Sequence, residues 1–285
     1  MKKVGCSLAL LLALAPLFGQ APPFQLPDAY QMEANISYAQ FPETKLDIMA
    51  PKAPASVKRP GVIVIHGGGW VGGTKEQVAS GYCLPYLEKG FVVANVEYRL
   101  AKAAPAPAAV QDVLLAAQWF HKNADKYNVD KNRIIVTGNS AGGHLSLMVG
   151  MTPKSARLGP TTKIAAVVNF YGITDVGDQL AGPNMRQYAV TWVPEQQGRF
   201  ELARRLSPIT YVRQDVPPVK TIHGDADKTV PYEHGVNLTK ALRDAGADAE
   251  LLPVPGAGHG FPQAKMNEIY QDIFAFLAKR GILKN

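Results

Sequence analysis

Apolar positions along the chain fall into short dense runs separated by longer stretches of helical spacing, and this alternation predicts the fold class. Runs of strand length occupy residues 62–65, 91–96, 134–137, 164–170, 219–222 and 250–254. A run with little polar interruption predicts a strand covered on both faces, as in a parallel sheet flanked by helices. Between the runs, stripes such as Val110, Val113, Leu114 and Ala117, or Ile269, Ile273, Phe276 and Leu277, recur at the spacing of amphipathic helices. Similar stripes cover 78–87 and 236–242. Ahead of the first run, residues 35–40 and 45–49 read as two short strands of an edge hairpin, and Pro51, Pro54 and Pro60 mark the loop after it. The pattern predicts one α/β domain over 21–285, with a mostly parallel eight-stranded sheet and helices on both faces.

One stretch breaks the rhythm. Residues 175–206 contain no strand-length run and are punctuated by Gly177, Gly182, Pro183, Pro194 and Gly198. Ligands of an open α/β sheet sit beyond the carboxyl ends of its strands. An insertion just past Phe170 is therefore expected to form a small cap over the site.

Composition changes the picture at the amino terminus. Lys2 and Lys3 precede an apolar stretch from Leu8 to Phe18, with small or polar residues before Pro22. That order predicts a secretory signal peptide over 1–20, cleaved near Gly19 to Ala21, and a secreted or periplasmic protein with no stable membrane insertion afterwards. Cys6 leaves with it, so Cys83 remains as the sole cysteine, unable to form an internal disulfide and expected to be a packed side chain. The formal net charge of +7 is scattered among acidic residues, with no basic stripe interleaved with aromatics, which argues against a nucleic-acid partner.

Candidate chemistry centres on Gly138-Asn139-Ser140-Ala141-Gly142, which follows a predicted strand and opens a predicted helix. That is G-x-S-x-G in the strand-turn-helix setting that lifts a serine hydroxyl clear of its backbone. A serine needs a base, and the base needs a carboxylate to orient it. His259, in the glycine-rich loop 256–260 after the last predicted strand, satisfies both chain order and position. His144 reads instead as a packed helix residue near the site, and His223 as a strand-end residue that fixes a turn. For the acid, Asp227 is favoured, with Asp225 and Asp175 as alternatives; Asp225, directly after Gly224, suits bonding to the turn's own amides. The loop His66-Gly67-Gly68-Gly69-Trp70 ends the first long run. With Ala141 it supplies candidate oxyanion donors at Gly68 and Gly69. A phosphate cradle is disfavoured, since the Lys-Ser/Thr ending of a P-loop is missing after these glycines. Trp70, Tyr171, Trp192 and Phe261 are candidate substrate-binding residues, each with an alternative reading as an ordinary core or cap aromatic. No metal or organic cofactor is required by this set.

These motifs, with Tyr98-Arg99-Leu100 and Ser207-Pro208-Ile209, resemble the α/β-hydrolase esterases grouped with bifunctional feruloyl and acetyl xylan esterases. The hormone-sensitive-lipase-like esterases are the nearest neighbours, and the likeness covers about residues 35–280. The resemblance implies the α/β-hydrolase fold and a Ser140, Asp227, His259 triad. It also implies a small-molecule or oligosaccharide ester as substrate. Two departures favour the carbohydrate-esterase branch. Asn139 stands where the lipase-like pattern has an acidic residue, and Ala101-Lys102-Ala103 replaces its A-P-E. The pocket is expected to be shallow and open. An arylformamidase or peptidase would use the same triad, and a non-catalytic binding module on this fold is the reading from a different class.

Overall fold

The computed structural model describes residues 24–283, so the expected signal peptide and Cys6 lie outside the described residues. Eight strands form one sheet: β1 (Tyr30–Ser37), β2 (Lys45–Pro51), β3 (Arg59–Ile65), β4 (Val92–Val96), β5 (Val129–Asn139), β6 (Ala166–Phe170), β7 (Val219–Gly224) and β8 (Ala249–Val254). Their order across the sheet is β1-β2-β4-β3-β5-β6-β7-β8. The β1–β2 and β2–β4 pairings are antiparallel and the rest are parallel. The six expected parallel strands are thus all present.

Side-chain alternation explains why those runs are continuous. Ile63 and Ile65 enter one core with Val110, Val113 and Phe120 of α3 (Ala108–Asn123) and with Leu145 of α4 (Ala141–Met151). Val62 and Val64 enter the opposite core with Ile269, Ile273 and Phe276 of α8 (Gln263–Lys279). Both faces of 62–65 are covered by apolar side chains, so no polar position interrupts that run.

Two boundaries differ from expectation for visible reasons. The first hairpin strand begins at Tyr30 and ends at Ser37, whereas the pattern places it at 35–40. Tyr38 is not strand surface: it turns inward, 8% exposed, and its hydroxyl donates to the Glu97 carbonyl at 2.7 Å. The apolar stripe over 78–87 lies in a helical run comprising α1 (Lys75–Val78), a π-helical turn (Ala79–Cys83) and α2 (Leu84–Glu88). Pro85 lacks the amide that would bond the Gly81 carbonyl, and its ring crowds that group. The Tyr270 hydroxyl donates to the Gly81 carbonyl at 2.8 Å.

The stretch 175–206 holds α5 (Gln187–Trp192) and α6 (Arg199–Arg205), joined by turns. It lies against the loops that follow β3 and β7, through contacts given below. The last long helix before α8 is α7 (Glu233–Asp244), which buries Leu238 and Leu242. Among the described residues, no helix is long and apolar enough to cross a membrane. Cys83 is fully buried, and burial pushes its thiol pKa well above the usual value.

Candidate active site

The carboxyl end of β5 turns sharply into α4, and Ser140 occupies the turn with φ 54° and ψ −122°. Such a conformation is costly for a residue with a side chain and persists where the surroundings enforce it. Here the Ser140 amide donates to the Phe170 carbonyl at the end of β6, 2.9 Å away. Both flanking glycines are demanded by contact. A β-carbon at Gly138 would lie 2.4 Å from the Ile65 carbonyl oxygen, and one at Gly142 would lie 2.0 Å from it.

The Ser140 hydroxyl sits 2.9 Å from Nε2 of His259, and Nδ1 of His259 sits 2.7 Å from Oδ2 of Asp227. A protonated Nδ1 donates to the carboxylate, which leaves Nε2 free to accept the serine proton. The other Asp227 oxygen accepts the amides of Thr229 at 2.8 Å and Val230 at 3.1 Å. Burial raises the Asp227 pKa, but bonds from His223, His259 and Thr229 outweigh it and hold the carboxyl well below the usual carboxylate range. His223 lies 3.5 Å from Asp227 through Nε2, and the same nitrogen bonds the Val230 carbonyl at 3.0 Å, so it does fix the turn.

The alternative acids are engaged elsewhere. Asp225 accepts the Gly256 amide at 2.6 Å, securing the histidine loop rather than its own turn. Asp175 accepts the Gly177 amide at 2.9 Å. Of the three candidates, Asp227 is the one whose carboxylate meets His259.

The glycine loop after β3 faces the turn at Ser140. The Gly67 amide donates to Oδ1 of Asn139 at 3.1 Å, and the Gly68 carbonyl accepts the amides of Val71 and Gly72 at 3.1 and 3.0 Å. Among the described residues, the amides of Gly68 and Gly69 have no acceptor. Ala141 is the first residue of α4, so its amide has no intrahelical acceptor either. The Asn139 side chain thus ties the two loops together, a role its position in G-x-S-x-G does not signal.

The expected substrate-binding aromatics divide. Trp70 and Trp192 are fully buried, stacked with ring centres 4.1 Å apart, and the wall assigned to them is corrected: neither offers surface to a ligand. Their apolar area packs the glycine loop onto α5. Tyr171 is 4% exposed, and its ring stands 4.7 Å from that of His259 and 5.3 Å from Phe261. It backs the histidine, and its hydroxyl shares a 2.8 Å hydrogen bond with Tyr82. Phe261 is half-buried and alone of the four keeps appreciable exposed surface. His144 is fully buried beneath the site, as the helix reading has it. Among the described residues, no three His, Cys, Asp or Glu side chains stand together in a way that could hold a metal ion.

Comparison with known proteins extends this picture. Esterase LipC of Mycobacterium tuberculosis is 31% identical over 243 residues, covering 81% of this chain and 60% of the relative. The chain spans 55% to 60% of the length of three such mycobacterial relatives. A truncated carbohydrate esterase from gut microbiota superposes with a TM-score of 0.80 at 30% identity, covering 90% of this chain and 98% of that one. A bifunctional GH43-CE protein of Bacteroides eggerthii superposes with a TM-score of 0.75 at 28% identity, covering 89% of this chain and 39% of that one. The fold is the α/β-hydrolase fold. The BD-FAE family model matches residues 46–242, well over half the sequence, and the chain belongs to the BD-FAE family.

Proposed function

We propose that this protein is a serine carboxylesterase that hydrolyses short acyl or aromatic acyl esters, including those carried by plant polysaccharide fragments. The observation that carries the reading is the row from Ser140 Oγ through His259 to Asp227, with bonds of 2.9 and 2.7 Å. The likeness to a carbohydrate esterase over nearly all of that chain supports the substrate class.

In the proposed cycle, His259 takes the Ser140 proton as the serine oxygen attacks the ester carbonyl. The amides of Gly68, Gly69 and Ala141 hold the negative oxygen that develops. His259 returns the proton to the departing alcohol, leaving an acyl group on Ser140. Water, deprotonated by the same histidine, then releases the acid, and Asp227 stabilises the imidazolium in both halves. The leader over 1–20, with Lys2 and Lys3 ahead of an apolar stretch, supports a proposal of export and of a reaction outside the cytoplasm.

The test is a panel of p-nitrophenyl acetate, methyl ferulate, acetylated xylan, N-formylkynurenine and a prolyl peptide, each with the native protein and with Ser140→Ala. Ester cleavage that disappears in a folded Ser140→Ala supports the reading. Unchanged turnover in that variant sinks the mechanism, and formamide or peptide cleavage far above ester cleavage replaces the substrate class.

A further inference from the structure

The acid loop after β7 and the glycine loop after β3 stand on opposite sides of β5 and β6 in the sheet, with Ser140 between them. No strand pairing joins these two loops. The stretch 175–206 touches both.

On the acid side, Arg186 Nε and Gln179 Nε2 both donate to the Thr229 carbonyl, at 3.0 and 3.1 Å, and Arg186 Nη2 donates to the Lys228 carbonyl. The amide of that same Thr229 holds Oδ1 of Asp227. On the glycine side, the Tyr188 ring lies so close to Gly69 that a β-carbon there would be 2.8 Å from it. The two ends are joined within the stretch, because the Tyr188 hydroxyl donates to Oε1 of Gln179 at 2.8 Å and the Arg186 amide donates to the Gln179 carbonyl at 3.0 Å. Gln179 is fully buried, with its side-chain oxygen and nitrogen both occupied.

We infer that this segment is a brace: Gln179 and Arg186 are positioning residues that set the Asp227 loop, and Tyr188 couples that loop to the glycine loop across the nucleophile. The inference rests on the esterase reading for its effect on rate, though not for the brace itself. Reaction geometry tolerates little displacement, so loosening Thr229 acts on turnover through Asp227 and His259.

The test compares Arg186→Ala, Arg186→Lys, Gln179→Met and Tyr188→Phe with the native protein. Hydrogen exchange at the Thr229 and Val230 amides reads the brace without any turnover. Inactivation by paraoxon reads the reactivity of Ser140 with a small reagent. Steady-state kinetics on p-nitrophenyl acetate separate kcat from KM. Arg186→Ala and Gln179→Met are expected to speed exchange at both amides and to lower kcat and the inactivation rate roughly ten-fold, with KM held within about two-fold. Arg186→Lys restores part of the loss, since an ammonium still reaches one carbonyl. Tyr188→Phe added to Gln179→Met costs nothing further, because both remove the same link.

Unchanged exchange at Thr229 and Val230 in Arg186→Ala and Gln179→Met overturns the brace. So does a rise in KM alone, which would make the stretch a substrate wall. Faster exchange in a protein that neither cleaves esters nor reacts with paraoxon leaves the brace standing and removes the esterase reading.

Discussion

Nε1–H of Trp70 donates to Nδ1 of His144 at 3.1 Å, and this one bond decides which nitrogen of the buried imidazole carries the proton. Nε2–H then donates to the Leu206 carbonyl at 2.7 Å. Burial pushes the His144 pKa from 6.5 down to about 4, against a weaker opposing pull from the Leu206 carbonyl. Between those two values the unfolded chain takes up a proton that the folded protein refuses. Stability therefore falls as pH drops through that window and levels off below it. The loss from this one group is about 3 kcal/mol at roughly 1.4 kcal/mol per pH unit. Thermal melting from pH 7.5 to 3.5 checks it: His144→Gln should show a flatter profile than the native protein, and parallel profiles would refute the assignment.

Replacing Asp227 by Asn leaves an oxygen for the Thr229 and Val230 amides but turns an N–H toward His259. The imidazole is then pushed into the tautomer that cannot accept the Ser140 proton, and kcat on p-nitrophenyl acetate should fall by about 10⁴-fold. Asp225→Asn keeps an acceptor for the Gly256 amide and should stay within about three-fold of native. A loss at Asp225 as large as that at Asp227 would reverse their assignment.

Gly142→Ala places a methyl group 2.0 Å from the Ile65 carbonyl oxygen and 2.6 Å from that of His66. Both are backbone atoms at the end of a central strand, so nothing cheap can move aside, and the cost should exceed about 4 kcal/mol. Gly258→Ala, beside His259, meets nothing within 4 Å and should melt near the native temperature. Equal melting of the two variants would contradict the packing described for the elbow.

Trp192 and Phe261 should give opposite signatures. Trp192→Ala opens a cavity against Trp70 and should cost about 3–5 kcal/mol of stability. Phe261→Ala removes a partly exposed ring and should mainly raise KM for methyl ferulate, with melting shifted by only a few degrees. A Trp192→Ala protein of native stability and weakened substrate binding would restore Trp192 to the pocket.

Which parts of this were legible in the sequence follows from what each residue does. The six parallel strands stand out because helices cover both faces, which leaves 62–65 with no polar position and 134–137 with Thr137 alone. Gly138 and Gly142 mark the elbow because contact with Ile65 admits no side chain, and His259 is marked by its loop after the last strand. Trp70 and Trp192 misled because a large ring reads the same whether it walls a pocket or packs a loop. Tyr38 misplaced the first strand for a related reason, its apolar ring serving the core from a turn. Gln179 and Arg186 left no signal at all, since bonds to the carbonyls of Lys228 and Thr229 impose no periodicity on their neighbours.

Ser140 and His259 are 119 residues apart in the chain and meet only when β8 and the loop after it have joined the sheet. Contacts so distant in sequence are among the slowest to form. During refolding, catalytic power should therefore return after helical circular dichroism has largely recovered, which makes turnover a clock for the closing step of assembly.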